Sequence, residues 1–133
     1  MLRVNQITAW VETKTGELGR ITAALGKAKV NITAITCSSA GSESPIHLLV
    51  SSPAKAKRAL QGLGVRVTEE EVLRVTLPDK PGILGEVGER LGAAKISVEY
   101  AYASIPTGGK KGDLILSVSD TVGATKALRG LLE

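Results

Sequence analysis

Residues 77 to 87 read L-P-D-K-P-G-I-L-G-E-V, and there an extended apolar run turns abruptly into a helix. Leu73 to Leu77 alternates apolar and polar side chains as a half-buried strand does, whereas Leu84, Val87, Leu91 and Ala94 recur at i, i+3, i+7 and i+10, the spacing of one helix face. Pro81 is expected in the first helical turn, where its missing N–H has no intrahelical partner, and Asp79 is expected to cap the amides that follow. Gly82 leaves the mouth of the turn without a side chain, so amides at the positive end of the helix dipole can meet a small anion.

A weaker copy of this stretch lies 66 positions earlier. On that offset seven pairs are identical: Gly16/Gly82, Leu18/Leu84, Gly19/Gly85, Leu25/Leu91, Gly26/Gly92, Ala28/Ala94 and Lys29/Lys95. After the longer P-T-G-G-K-K-G loop the offset becomes 68, and A-L-Q-G-L (59–63) matches A-L-R-G-L (127–131). A fixed period over two helices in the same order implies tandem duplication. The order within the first copy is strand (Val4 to Val11), helix (stripe Leu18, Ile21, Leu25, Ala28), strand (Ile32 to Cys37), strand (Ile46 to Ser51), helix from Pro53, and a short strand (Val65 to Thr68). The same order restarts at Val72.

The fold class is therefore α+β, with two ferredoxin-like βαββαβ units at 1–69 and 70–133. Right-handed crossovers place both helices of a unit on one face of an antiparallel sheet. The chain ends two residues after Leu131, so the second unit is expected to lack its last strand and to leave an edge in need of cover. Gly85, Gly88 and Gly92 cost roughly 1 kcal/mol each against Ala inside a helix, which is expected to reflect close helix–sheet approach.

Bulk properties narrow the function. Of 133 residues, 43% are hydrophobic but only 2% aromatic, so the core is built from Ala, Val, Leu and Ile rather than around a large flat cofactor. One cysteine excludes an intrachain disulfide, and no apolar run approaches the ~18 residues that span a bilayer. With no signal peptide either, a cytoplasmic protein without membrane contact is expected. The net charge of +4 comes from Lys and Arg scattered among Glu and Asp, which argues against a nucleic-acid partner.

Residues 78–98, P-D-K-P-G-I-L-G-E-V-G-E-R-L-G-A-A-K-I-S-V, resemble the ACT domain signature, and the chain as a whole resembles a stand-alone tandem ACT protein. In the first copy, E-T-K-T-G-E-L (12–18) has Thr15 for Pro81 and Glu17 for Ile83, so its turn has drifted, while Asn31 keeps the asparagine that the second copy replaces with Ser97. The resemblance implies a non-enzymatic regulatory module, without cofactor or metal, that binds an amino acid where two ACT units meet. It implies a homodimer and, by the family's habit, an enzyme partner to regulate. The implied site joins the turn Asp79, Lys80, Pro81, Gly82, Ile83 and Leu84 of one unit to the strand start Asn31 and Ile32 of the other. A weaker second site would join Thr13 and Gly16 to Ser97 and Val98. Backbone amides near Gly82 suit an α-carboxylate, Asp79 suits an α-ammonium, and Asn31 can serve either.

Two other readings compete. One is a structural oligomerisation module whose ligand sites have decayed. The other is RNA binding, since the βαββαβ unit is also the RRM scaffold, but the third strands H-L-L-V-S and D-L-I-L-S-V lack the aromatics on which bases stack. His47 has no metal-ligand spacing around it, and Cys37 is expected to be a small buried residue. Tyr100 and Tyr102 share a strand face, where they line a specificity pocket or pack at an interface. No nucleophile and base pair at catalytic spacing.

Overall fold

The computed structural model describes residues 1–105 and 108–131. Ten elements follow one another: β1 (Leu2–Glu12), α1 (Glu17–Lys27), β2 (Ile32–Cys37), β3 (Glu43–Val50), α2 (Pro53–Gln61), β4 (Arg66–Pro78), α3 (Ile83–Ala93), β5 (Val98–Ser104), β6 (Lys111–Val118) and α4 (Thr121–Ala127). They group into two compact units. The N-terminal unit is Asn5–Glu70, and the C-terminal unit combines Glu71–Glu133 with Met1–Val4.

In the N-terminal unit the strand order is β2-β3-β1-β4, with Arg66–Glu70 as its share of β4. β1 pairs antiparallel with β3 in the register Ile7↔Leu48 to Glu12↔Glu43, and β3 pairs antiparallel with β2. Alternation then turns Ile7, Ala9 and Val11 to the helices, where they pack with Ile21 and Leu25 of α1 and with Ala56 and Leu60 of α2. Each fully buried Leu or Ile here contributes roughly 1.5–3 kcal/mol relative to exposure. α2 starts as its sequence dictates, with Pro53 at the first position and the Ser52 hydroxyl accepting from the Lys55 amide at 3.4 Å.

The C-terminal unit repeats the plan in the order β1-β4-β6-β5. Leu73, Val75 and Leu77 of β4 pack with Val87 and Leu91 of α3 and with Ala124 and Leu128 of α4. No strand follows α4 among the described residues, as the repeat arithmetic predicts. The place of that strand is taken by the start of β1, whose residues Met1–Val4 lie in this unit, and Arg3 makes a 3.9 Å ion pair with Glu71 of β4.

Several expectations need correction. The break between Thr68 and Val72 does not exist, because the T-E-E-E run at 68–71 holds no Gly or Pro and β4 continues through it. Leu18 and Leu84 face solvent at 47% and 54% exposure, and the buried stripes are Glu17, Ile21, Leu25 and Ile83, Val87, Leu91 instead. The helix glycines do not serve close packing, since a Cβ at Gly85, Gly88 or Gly92 meets no atom within 4 Å. Cys37 is exposed although it pairs with the core residue Ile46, because it ends β2 where the helix-side face opens into a recess and is no longer covered.

Candidate functional site

The two strand-to-helix turns are built alike. β4 is prolonged by the Asp79 amide, which donates to Lys110 O at 2.8 Å, and β1 by the Thr13 amide, which donates to Ser42 O at 3.0 Å. Gly82 and Gly16 then swing into the left-handed region, with φ of 89° and 88°, and each stands as the N-cap of the helix that follows. That conformation is costly for any residue with a Cβ, which explains why glycine recurs at this offset. The first helical bonds are Glu86 N–H to Gly82 O at 3.1 Å and Arg20 N–H to Gly16 O at 3.0 Å. The amides of Leu84 and Gly85, and of Leu18 and Gly19, come before those bonds and have no partner within the helix ladder.

Neither helix has a side-chain cap here, which corrects the role expected of Asp79. α3 begins at Ile83, so Pro81 precedes the cap instead of occupying the first helical turn, and the Ile83 amide turns back to Lys80 O at 3.3 Å. Asp79, Lys80 and Pro81 are all exposed.

A recess opens in front of each turn, and the two differ in size and chemistry. At the Gly82 turn it measures about 40 Å³, little more than one water, between Leu77, Ile83, Leu84, Ala103 and Ile105, with Asp79 and Asp113 on its rim. The Arg74 guanidinium donates to Asp113 Oδ2 at 2.7 Å and the Thr76 hydroxyl to Oδ1 at 2.8 Å, and these bonds hold the carboxyl below its ordinary range. At the Gly16 turn the recess measures about 450 Å³, within the range of small-molecule pockets. Thr13, Thr15, Glu17, Ser38, Ser39 and Ser44 bring polar groups to a wall that Val11, Leu18 and Ile46 keep mainly apolar, and Thr13 and Ser44 share a 2.6 Å hydroxyl contact.

Glu17 stands where the other turn has Ile83, and it is buried at the recess wall. Arg20 donates to both of its oxygens, from Nε at 3.1 Å and Nη2 at 2.8 Å, and Lys14 lies 4.0 Å away. The hydrogen bond from Arg20 outweighs desolvation and holds the Glu17 carboxyl below its ordinary range.

Within one unit the structure does not bring the expected strand starts to the turns. The Asn31 amide donates to Ser51 Oγ at 3.0 Å and the Ser51 amide returns a 2.9 Å bond to Asn31 O, beyond one end of β3. Thr13 meets Ser42 beyond the other end. The 8 residues of β3 separate the two by roughly 26 Å. Ser97 and Ser119 repeat the exchange at 3.0 Å in both directions, at the far end of β6 from Asp79 and Lys110. Ile32 packs partly against the core, while Val98 is exposed. What reaches the Gly16 turn in its own unit is the end of β2, at Cys37, Ser38 and Ser39. Sequence reasoning missed these three, although a six-residue strand that starts at one end of a sheet must finish at the other.

Away from the turns, a partly buried polar group surrounds His47. Its Nδ1 lies 2.8 Å from Thr8 Oγ1 and 3.3 Å from Gln6 Nε2, and Gln6 also donates to Glu70 at 3.2 Å. Desolvation lowers the His47 pKa, partly opposed by Glu70. No cluster of His, Cys, Asp or Glu suited to a metal exists among the described residues, and none of their helices is long and apolar enough to cross a membrane.

Comparison with known proteins fits this arrangement. A protein from Bacteroides thetaiotaomicron superposes with a TM-score of 0.87 over 96% of this chain and 87% of its own, at 24% identity. The regulatory subunit of aspartate kinase superposes with a TM-score of 0.70 for Thermus thermophilus (15% identity, 97% of this chain, 93% of that one). For Thermus flavus the score is 0.69 (13% identity, 100% and 95%). At these identities the likeness is one of fold. No curated protein sequence matches the chain. The family profile described as "ACT domain pair" matches residues 2–129, and with two βαββαβ-type units and their paired glycine turns in place, the chain belongs to the ACT domain pair family.

Proposed function

We propose that this chain is a non-enzymatic regulatory protein of the cytoplasm that binds a free amino acid at its strand-to-helix turns and passes the occupancy to a partner enzyme. The supporting observation is the recurrence of one turn conformation, at Gly16 and Gly82, each facing a recess and each followed by helix amides outside the ladder. Such amides suit the α-carboxylate of the ligand.

Size and charge rank the two turns differently. The Gly16 recess has the volume for a whole amino acid, but its carboxylate, Glu17, is already neutralised by Arg20. Asp79 forms no ion pair among the described residues, so the Gly82 turn offers an α-ammonium an uncommitted partner. We give charge the greater weight, because a hydrogen bond to a charged group contributes roughly 1.5–3 kcal/mol. A recess of about 40 Å³ holds only part of a ligand, so the site needs a second surface. Asn31 and Ile32, at the start of β2 of an ACT unit in this chain or in a second copy, are the proposed source, with the protein acting as a homodimer. Thr13 and Gly16 with Ser97 and Val98 form the weaker counterpart.

Thermal unfolding in the presence of each of the twenty amino acids tests the reading. A ligand at 100 times its Kd adds about 2.7 kcal/mol of stability. The shift should vanish in Asp79→Ala and shrink in Asn31→Ala. Absence of any shift across the set would leave the structural oligomerisation reading in its place.

A further inference from the structure

We propose that the C-terminal unit carries a separate binding cleft for a small phosphate-bearing anion, formed by Arg3, Lys126 and Arg129. This site is independent of the amino-acid reading and shares no residue with either turn. The cleft measures about 180 Å³ and is lined by Arg3, Val122, Thr125, Lys126 and Arg129. Three cations from two distant stretches of chain line one concavity, and no acidic residue among the described ones lines it.

The bland reading is that Lys126, in the last turn of α4, and Arg129, just beyond it, offset the negative end of the helix dipole. That accounts for two of the three. Arg3 arrives from β1, on the other side of the cleft, and its carboxylate neighbour is a weak competitor. Glu71 Oε1 lies 3.9 Å from Arg3 Nη1, beyond hydrogen-bond distance, and already accepts from the Thr121 hydroxyl at 2.6 Å. The five N–H donors of Arg3 are therefore not committed to Glu71. The Arg129 segment is anchored through its backbone, since its carbonyl accepts from Arg90 Nη1 at 3.0 Å, which leaves its own guanidinium to the cleft. The Thr125 hydroxyl spends its proton on Thr121 O at 2.8 Å and so contributes wall, not a donor.

Two guanidinium forks and one ammonium match the geometry and charge of a phosphoryl group better than a single carboxylate. The volume corresponds to roughly six waters, enough for one or two phosphoryl groups and too small to enclose a polymer. Inorganic phosphates and phosphate esters of small metabolites share this chemistry.

Isothermal titration of the full chain with inorganic pyrophosphate, and separately with glycerol 2-phosphate, at about 50 mM salt tests the proposal. One saturable site per chain is expected, weakened at least about tenfold in Lys126→Gln/Arg129→Gln and measurably in Arg3→Gln. Lys57→Gln/Arg58→Gln, on α2, should leave binding unchanged. Binding of the ester as well as pyrophosphate would assign the site to metabolites, and pyrophosphate alone would assign it to inorganic phosphates. Failure of both to saturate would overturn the proposal, as would equal weakening by the α2 pair. So would a short single-stranded RNA that binds more tightly than pyrophosphate through the same three residues.

Discussion

Gly16 and Gly82, 66 positions apart, occupy one backbone conformation, with φ of 88° and 89° and ψ of −10° in both. A Cβ built at either position meets no atom within 4 Å, so the angle, not crowding, demands glycine. Gly82→Ala should therefore cost about 1–2 kcal/mol, the penalty of the left-handed region for an L-residue, and Gly16→Ala the same. Urea unfolding measures both. A cost well under half a kcal/mol at either site would show that the turn relaxes into another shape.

Gly88 presents the opposite case. It lies inside α3 with ordinary helical φ, and open space surrounds the missing Cβ. Gly88→Ala should stabilise the chain by up to about 1 kcal/mol, through helix propensity and a less disordered unfolded state. Loss of stability instead would mean that a second chain packs against this face in solution, and light scattering on the variant would then show a changed mass.

The repeat was the most legible feature of the sequence, because Gly16/Gly82 and the buried Leu25/Leu91 recur at a constant offset and reflect an angle and a packing position that the fold cannot vary. The backbone confirms it beyond the identities: Lys29 and Lys95 both adopt φ of 59°. Strand length was harder to read. The polar run at 68–71 looks like a break, yet an extended chain tolerates it wherever its side chains reach solvent, as those of Thr68, Glu69 and Glu71 do. The turn chemistry misled for a related reason. Asp79, Pro81 and Gly82 carry the composition of a side-chain cap, but a glycine in the left-handed region closes the helix and displaces both roles. Glu17 was readable only as drift from the family's pattern. Its pairing with Arg20 follows from i, i+3 spacing on a helix, a signal that was present and not used.

His47 should give the stability a pH dependence near neutrality. With the Gln6 amide nitrogen as donor at 3.3 Å, Nδ1 accepts, so the fold favours the neutral imidazole. Desolvation lowers its pKa below the ordinary 6.5. The unfolded chain then binds the proton more readily, so stability is complete above about pH 6.5 and falls as the pH drops from there towards the folded pKa. His47 is the only histidine, which isolates its contribution from the carboxylates that titrate lower. Urea midpoints between pH 7.5 and 5 should decline in the parent chain and flatten in His47→Gln. An equal decline in the variant would sink the assignment.

The start of β1 should govern the stability of the C-terminal unit. β1 spans Leu2–Glu12, yet Met1–Val4 belongs to the unit formed by Glu71–Glu133. There it fills the position that a strand after α4 holds in a complete βαββαβ unit, beside β4. Val72 and Leu73 of β4 have no exposed surface in this arrangement. Removing residues 2–4 strips one side of β4 of its ladder partner and leaves an unpaired edge. Hydrogen exchange at Val72 and Arg74 should accelerate towards the rate of local opening, while Ile7, Leu48 and Leu60 of the N-terminal unit stay protected. Val4→Pro offers a milder version, deleting one donor without shortening the chain. The truncated chain should also aggregate more readily, which sedimentation would detect. If exchange at Val72 and Arg74 matched the parent after truncation, these three residues would be packing without completing the sheet, and the C-terminal unit would be stable on its own three strands.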